Sequence, residues 1–309
     1  MKRIQLLLIL LMAVSIHGKA QYFRLYGLEI YNPSYHNPAY VGAENLIRAD
    51  VIATSNFYST VLNSRIMTTL PGGKHSLGIG FDKSGYYSSF SYNGPREKVM
   101  DYYQVDLAYQ YTFQIREAFA IHTGAAIHPA KLDFLQVVQG IDSSLLYQRS
   151  LSASLGVAVD YKNFTAGVST HIPFYSNKFY LDETNNIEKK SNTSTVREFH
   201  MFGKYESKSL RRVTLDPLFG VYLRYGENGD YSEWLGYAGG HIQIVDLVGL
   251  GITAGSLVSV STTLNIKDRV ELMLGIYAGE KLWSDGLSSL DYGLNFGDRQ
   301  YIIQLRVNL

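Results

Sequence analysis

The sequence lacks cysteine altogether, although the chain is 309 residues long. This absence excludes a disulfide framework and every metal site built on thiolates. The chain also lacks an excess of charge, because its 28 basic and 27 acidic residues nearly balance. A balance of this kind gives no sign of a nucleic-acid partner, and we expect none.

Long hydrophobic runs are missing after residue 20. Residues 1–20 combine a short basic head, an apolar stretch and small residues before Gln21, which together predict a secretory signal peptide. The apolar stretch falls short of the roughly 18 residues that a membrane-spanning helix needs. If the mature chain lies in a membrane, it must cross it as a closed barrel, since only helices and closed barrels pair every backbone polar group in lipid.

The stretch 101–126 shows what the chain has in place of spanning helices. From Asp101 to Gln114 the odd positions are mostly aromatic or aliphatic and the even positions are small or polar, and the alternation resumes after a polar turn at Arg116 and Glu117. Side chains of a strand alternate between its faces, so this pattern predicts a hairpin with one apolar face. Its strands match the roughly 9 to 11 tilted residues that cross a bilayer.

Alternating segments of this kind recur along the mature chain. They lie near residues 47–57, 61–70, 75–82, 101–114, 118–128, 151–161, 163–172, 197–206, 212–224, 233–243, 247–254, 257–266, 269–278 and 300–309. Short connections alternate with mostly longer ones, as periplasmic turns alternate with extracellular loops in bacterial barrels. We therefore predict an all-β fold, a transmembrane antiparallel β-barrel of about 14 strands over residues 47–309, preceded by a periplasmic N-terminal segment over 21–46.

The aromatic content and the C-terminus agree with this assignment. The chain has 25 tyrosines and 14 phenylalanines, and aromatic side chains gather at the two interfaces of a membrane barrel. The last residues alternate from Tyr301 to Leu309, as a closing strand should. We expect an integral protein of a Gram-negative outer membrane, in contact with the lipids of that membrane.

Charged side chains fall on the predicted inner face of the barrel. The polar candidates for the lumen are Arg65, Asp106, Asp216, Arg224 and Arg306. A wet lumen accounts for such residues, because its paired charges contribute little individually.

A metal site and a hydrolase are two chemical alternatives for the inner face. A metal site from His122, His171 and His200 would require three strands to bring their histidines together, which the sequence does not show. A membrane-embedded hydrolase would require a nucleophile, a base and an orienting group within hydrogen-bond reach, and no such group of residues is recognisable. We therefore predict no enzymatic activity, no metal and no cofactor.

The segment before the first strand carries a distinctive pattern. Two Asn-Pro pairs lie five residues apart, and each proline biases the preceding asparagine away from helix. We predict a rigid, aromatic-rich pair of turns that docks a partner or, alternatively, a plug or lead-in that packs against the barrel mouth. The docking candidates are Tyr31, Asn32, Pro33, Asn37, Pro38 and Tyr40.

These residues resemble the N-terminal signature of the PorP/SprF family of Bacteroidota outer-membrane proteins. The family signature contains Asn-Pro-Ala-Tyr-x-Gly, and Asn37, Pro38, Ala39, Tyr40 and Gly42 match it position by position. The likeness extends over most of the mature chain, including a glycine-rich third strand over residues 75–80. Phe57-Tyr58 stands where the family commonly has tryptophan, and a His-Glu pair before the last strand is replaced around residues 298–300, as in a divergent member.

The resemblance implies a non-enzymatic role in the type IX secretion system, which carries folded proteins across the outer membrane and supports gliding motility in some species. It implies periplasmic lipoproteins or peptidoglycan-binding components as partners, together with secreted cargo. A barrel of about fourteen strands is too narrow for folded cargo, because even 16 to 18 strands leave only an aqueous channel. We therefore expect a docking or anchoring role. The alternative is a passive porin or small-molecule channel, suggested by the charged lumen.

Overall fold

The computed structural model describes residues 33–42, 47–55, 59–88, 97–134, 145–181, 187–192, 197–207, 213–225, 232–244, 247–255, 258–266, 269–278 and 299–308. The predicted signal peptide and the docking candidates Tyr31 and Asn32 lie outside these ranges. No helix within them is long and apolar enough to cross a membrane.

Antiparallel strands make up nearly all of the described chain. They are β1 (Ile47–Ser55), β2 (Ser59–Thr69), β3 (His75–Ser88), β4 (Glu97–Arg116), β5 (Phe119–Phe134), β6 (Leu145–Tyr161), β7 (Phe164–Leu181), β8 (Ile187–Asn192), β9 (Arg197–Tyr205), β10 (Val213–Tyr225), β11 (Ser232–Ile244), β12 (Val248–Gly255), β13 (Val258–Ile266), β14 (Val270–Ala278) and β15 (Arg299–Asn308). Fourteen of them form a closed ring, because β1 pairs with β15, β6 pairs with β7, and β7 pairs with β9. The prediction of an antiparallel barrel of about 14 strands is confirmed.

The outer face of the ring is apolar and its inner face is largely polar. In β4, for example, Leu107 and Tyr109 are 45% and 42% exposed, whereas Asp106 and Gln110 are each 3% exposed. Most other strands of the ring repeat this arrangement, so large aliphatic and aromatic side chains surround the barrel. A soluble monomer rarely exposes an apolar patch of more than a few hundred Å². The exposed band is therefore the lipid-facing surface of a transmembrane barrel of the outer-membrane type.

Aromatic side chains also mark one edge of this apolar band. Phe113, Tyr161, Phe164 and Tyr205 all lie next to the short turns of the barrel and are exposed on its outer side. Such a girdle is typical of the level where a membrane barrel meets the headgroups. It agrees with the sequence-based expectation for the tyrosines and phenylalanines.

Several strands extend further than the alternation predicted. β4 begins at Glu97 rather than at residue 101, β5 continues to Phe134, and the additional strand β8 pairs with β7 where a long loop was expected. The reason is visible on β5, where Lys131 and Asp133 continue the outward face while Leu132 turns inward. Beyond the membrane the outward face becomes polar, so the apolar pattern ends before the strand does.

Candidate functional site in the barrel lumen

The N-terminal segment over residues 33–42 lies inside the barrel, and we call it the plug. It consists of two short 3-10 turns, Pro33–Tyr35 and Pro38–Tyr40. Its contacts are with the inner faces of the strands, and most of its residues are buried. The sequence predicted a periplasmic segment over residues 21–46, with a plug against the barrel mouth as the alternative. The structure places residues 33–42 of it against the inner wall of the lumen.

Asn37 fixes the plug to the wall formed by β6 and β7. Its side chain is fully buried, and its Nδ2 donates to the carbonyl oxygens of Val168 at 3.1 Å and Val157 at 3.5 Å. Its Oδ1 accepts from the backbone N–H of Ala39 at 2.9 Å, so the residue also caps the second turn. Pro38 suits the start of this turn, because its ring presets φ and the turn needs no N–H there.

Glycines on the inner wall leave room for the plug to approach the strands. A Cβ added to Gly124 would overlap the backbone of Pro38 and Ala39, and one added to Gly156 would overlap the side chain of Asn37. Gly124 and Gly156 are direct cross-strand partners on β5 and β6. The Asn-Pro turn therefore packs directly against the backbone of these two glycines.

Further hydrogen bonds join the plug to other strands. The hydroxyl of Ser169 donates to the carbonyl oxygen of His36 at 2.9 Å, and the guanidinium of Arg65 donates to the carbonyl oxygen of Ser34. The backbone N–H of Gly42 donates to the side-chain oxygen of Gln110. These contacts lie on β7, β2 and β4, so the plug is bonded to walls on several sides of the lumen.

An apolar cluster fills the lumen beside the plug. The tyrosines Tyr35 and Tyr40 of the plug pack against it, and Tyr40 meets the ring of Phe202 edge-on with centroids 6.2 Å apart. The cluster members from the wall are Ile52, Val61, Phe202, Leu218, Tyr222, Tyr237, Met273 and Ile302. Each of these is at most 6% exposed. At this level the lumen is packed with side chains rather than open to water.

A buried ion pair stands next to the plug. The side chains of Arg65 on β2 and Asp106 on β4 are both 4% exposed, and Nη2 of Arg65 lies 2.6 Å from Oδ2 of Asp106. They meet across β3 because Gly80, which lies between them, has no side chain. Gln104 and His128 also donate to the Asp106 carboxylate, so both of its oxygens accept hydrogen bonds. Since Arg65 bonds Ser34 as well, this ion pair is one anchor of the plug.

A second charged cluster joins the first and last strands of the ring. Asp50 on β1 is fully buried and accepts from Nε of Arg306 on β15 at 3.0 Å, and its other oxygen accepts from Nε of Arg48 at 2.9 Å. Arg306 also approaches Glu271 on β14, with 3.3 Å between Nη1 and Oε2. The predicted lumen residue Arg306 thus ties together three strands where the barrel closes.

Replacing Arg306 with methionine should weaken this closure. Asp50 would keep Arg48 but lose a charge-assisted hydrogen bond, so we expect the free energy of unfolding to fall by about 2 kcal/mol. Urea unfolding of the detergent-solubilised barrel, followed by tryptophan fluorescence, measures the change. Lys204→Met is the matched control, because Lys204 pairs with Glu206 at an exposed site, where such pairs contribute about 1 kcal/mol or less. Equal losses in the two variants would contradict the assigned role of Arg306.

The other predicted polar residues lie apart from the plug. Asp216 is 8% exposed and accepts from the backbone N–H of Ser207 at 3.0 Å, near a turn of the barrel. Arg224 lies on β10, and its side chain is outside the described part of the structure.

The histidines proposed as an alternative metal site have separate partners. His122 donates to Asp160, His171 bonds Ser154, and His200 stacks on Tyr222. Within the described ranges no group of three possible metal ligands converges.

Four of the six docking candidates are residues of the plug. Pro33, Asn37, Pro38 and Tyr40 all lie in the lumen and contact the barrel wall or the neighbouring turn. In this conformation they face strands rather than an external partner. The docking role assigned to them therefore stays a prediction, and their visible role is to hold the plug in place.

The sequence matches no known protein family and no curated protein. Among solved structures, the barrel is similar to the toluene transporter TodX of P. putida, with a TM-score of 0.49 and 9% identity over 90% of this chain and 94% of that chain. It is similar to the toluene transporter TbuX of Ralstonia pickettii, with a TM-score of 0.49 and 8% identity over 94% and 96%. It is also similar to a FadL homologue of Pseudomonas aeruginosa, with a TM-score of 0.49 and 9% identity over 88% and 92%. Likenesses at this level concern the course of the chain and say nothing of what this barrel binds.

Proposed function

We propose that this protein is a non-enzymatic, integral outer-membrane component of a type IX secretion system. It anchors periplasmic partners of the machine and supports the export of proteins to the cell surface, including gliding proteins where the host glides. The observation that carries the proposal is a barrel lumen filled by the chain's own N-terminal segment. A lumen of this kind serves neither as a conduit for folded cargo nor as a steady open pore.

The plug supports the proposal a second time through its sequence. The residues that resemble the PorP/SprF signature, Asn37 to Tyr40 and Gly42, are the ones that cap the second turn and bond the wall. In a family of closed barrels, we expect the signature residues to be those that hold the plug against the wall. The resemblance and the packing of the lumen thus point to the same class of protein.

The surfaces left for partners are the rims of the barrel. On the rim with short turns, Lys74, Arg116, Glu117 and Lys162 are exposed next to one another along the chain of hairpins β2 to β7. Mixed charges on rigid turns suit recognition of a periplasmic lipoprotein or a peptidoglycan-binding protein, since complementary charges set the register of such contacts. We propose this rim as the anchoring surface.

A passive porin or small-molecule channel is the second candidate. Ionic side chains on the inner wall, including Arg65 and Asp106, favour it, because aqueous channels are lined by polar groups. The filled lumen opposes it. The conductance of the native barrel separates the two functions.

Replacing Asn37 and Pro38 together with alanine should leave the barrel folded and abolish export of the system's cargo. The double change removes the side chain that bonds β6 and β7 and the ring that presets the second turn, so the plug is released from the wall. Cargo at the cell surface, measured by immunoblotting of shaved and whole cells, reports the effect. N265A/P129A is the matched control, because Asn265 lies on β13 and Pro129 is exposed on the outer face of β5. Normal export from N37A/P38A would contradict a role for this segment in the machine.

A further inference from the structure

Basic and aromatic side chains form a continuous row on the outer face of the barrel. The strand register places Lys83 on β3 opposite Tyr103 on β4, Tyr103 opposite Lys131 on β5, and Lys131 opposite Arg149 on β6. Neighbouring strands lie about 4.8 Å apart, so the Cα atoms of the row span about 15 Å. We call these four residues the basic row.

The cations of the basic row point outward and are held by aromatic rings. Lys83, Lys131 and Arg149 are exposed, and they share the face of the lipid-facing residues on their strands. Lys83 lies 5.5 Å from the centroid of the Tyr103 ring, and Arg149 lies 5.3 Å from that of the Tyr147 ring. Tyr147 in turn stacks on Phe179 with centroids 4.4 Å apart. These cation–π contacts hold the cationic groups on the outer surface of the barrel. The fold of the barrel does not itself need charges there.

The basic row lies at the edge of the apolar band that is farther from the short turns. On β5 it is separated from Phe119, next to the short turn, by twelve residues, or about 40 Å of strand. A strand tilt of about 40° reduces this to about 30 Å across the membrane, slightly more than the roughly 25 Å height of a barrel's apolar band. Lys131 therefore reaches the level of the lipid headgroups on the side of the long loops, which is the extracellular side.

A groove on the outer face begins below the basic row. Its volume is about 580 Å³, and it is lined on the lipid-facing side by Ile79, Leu107, Ala125, Ile127, Ala153 and Leu155. Ile79, Leu107, Ile127 and Ala153 are cross-strand partners one after another, four residues along β3 from Lys83. The small Ala125 and Ala153 leave a depression between larger aliphatic side chains. The same four strands thus carry cations above and an apolar depression below.

We propose that this face of β3 to β6 binds a phosphorylated lipid of the outer leaflet, with its phosphates on the basic row and an acyl chain in the groove. Lysine and arginine both bind phosphate well, arginine through its planar fork and lysine as a point charge. The acyl chain supplies the apolar partner that the groove needs. A lipid of the lipid A type, with phosphates on its sugar headgroup and several acyl chains, has this combination.

The charge at the row remains positive after its acidic neighbours are included. Asp133 lies 2.7 Å from Lys131 Nζ and offsets one of the three cations. Asp101, the cross-strand partner of Asp133, is only 8% exposed. Its carboxylate still counts as a second acidic neighbour, so one net positive charge remains at the headgroup level. The site depends on the transmembrane barrel alone, so it is independent of the secretion role proposed above.

Lipid titration of the purified barrel in detergent, followed by native mass spectrometry, tests the site. The probes are lipid A with two phosphates, its dephosphorylated form and dioleoylphosphatidylcholine. Near a membrane each basic residue contributes about 1 kcal/mol to binding anionic lipid. We therefore expect wild-type protein to prefer bisphosphorylated lipid A at least about tenfold, and K83Q/K131Q/R149Q to lose that preference.

The matched control is K74Q/R116Q/K162Q, which removes two lysines and one arginine from the opposite ends of the same hairpins. It should bind lipid A like the wild type. A second variant, A125F/A153F, fills the groove and should weaken lipid binding while leaving the three cations in place. Retained preference in K83Q/K131Q/R149Q, or an equal loss in the control, would overturn the proposal. The proposal would also be overturned if millimolar inorganic phosphate displaced the lipid and A125F/A153F bound lipid like the wild type. Those two results together would show a site for anions only.

Discussion

Valine at both Gly124 and Gly156 should turn a barrel with little steady conductance into an open channel. Each added side chain would point into the lumen and overlap the Asn37 to Ala39 turn of the plug. Valine favours strands, so β5 and β6 should still form while the plug is displaced. A ring of fourteen strands lies between the eight-stranded barrels filled by side chains and the 16-stranded porins that conduct. We therefore expect the conductance in planar bilayers to rise at least about tenfold.

The displacement of the plug has a direct readout because the native chain has no cysteine. Ala39 is 1% exposed, so a cysteine placed there should resist a water-soluble maleimide in the otherwise native barrel. The same cysteine should react readily in G124V/G156V. Gly240→Val is the control, since a Cβ at Gly240 comes no closer than 3.5 Å to any neighbour. A large, steady conductance from the wild-type barrel would contradict a closed lumen and favour the porin function.

Asp106→Leu should be the most destabilising single substitution in the lumen. It leaves the guanidinium of Arg65 buried without its carboxylate, and removing one partner of a buried ion pair typically costs about 3–5 kcal/mol. The double variant R65M/D106L removes both charges and should recover much of this loss, because an apolar pair of similar volume is often tolerated. Urea unfolding of the four proteins of this cycle gives the coupling energy.

The same cycle distinguishes stability from plug anchoring. Arg65 donates to the carbonyl oxygen of Ser34, so R65M/D106L should keep the barrel stable while exposing a cysteine at Ala39 to maleimide more than in the wild type. If D106L unfolds like the wild type, the ion pair is not buried as the structure places it. If R65M/D106L protects the cysteine fully, Arg65 does not anchor the plug.

The ring of strands was predictable because the membrane imposes a simple rule on each strand. Lipid outside and a polar lumen inside produce alternation with period two, and β10 follows this rule from Val213 to Tyr222. The rule ceases outside the bilayer, where Lys131 and Asp133 replace aliphatic residues on the outward face. The extra strand β8 and the full lengths of β4 to β7 were missed for this reason.

The position of the plug was not predictable from strand periodicity. Asn37 and Pro38 were recognised as a turn, but whether that turn faces the periplasm or the lumen depends on contacts with residues about 120 positions away. The only local signal was the run of small inner-face residues on β5 and β6, including Gly124 and Gly156. A lumen filled by wall side chains needs larger residues there, so glycines on facing strands indicate that another segment occupies the space.

The buried ion pair illustrates the same limit. Strand alternation assigns Arg65 and Asp106 to the inner face, and in the structure they are 4% and 3% exposed. Their contact depends on Gly80 in the strand between them, and on a register that alternation alone does not fix. His128, which completes the partners of Asp106, was missed because nothing in its own segment marks it.

Affinity purification from outer membranes solubilised in mild detergent tests the anchoring role most directly. A tag inserted between β7 and β8 lies on the side of the long loops, away from the rim proposed for anchoring. We expect periplasmic lipoproteins or peptidoglycan-binding proteins to co-elute in a fixed ratio to the barrel, as mass spectrometry would quantify. Recovery of the barrel alone, from membranes in which cargo export is active, would contradict the anchoring role and make the channel function the better account.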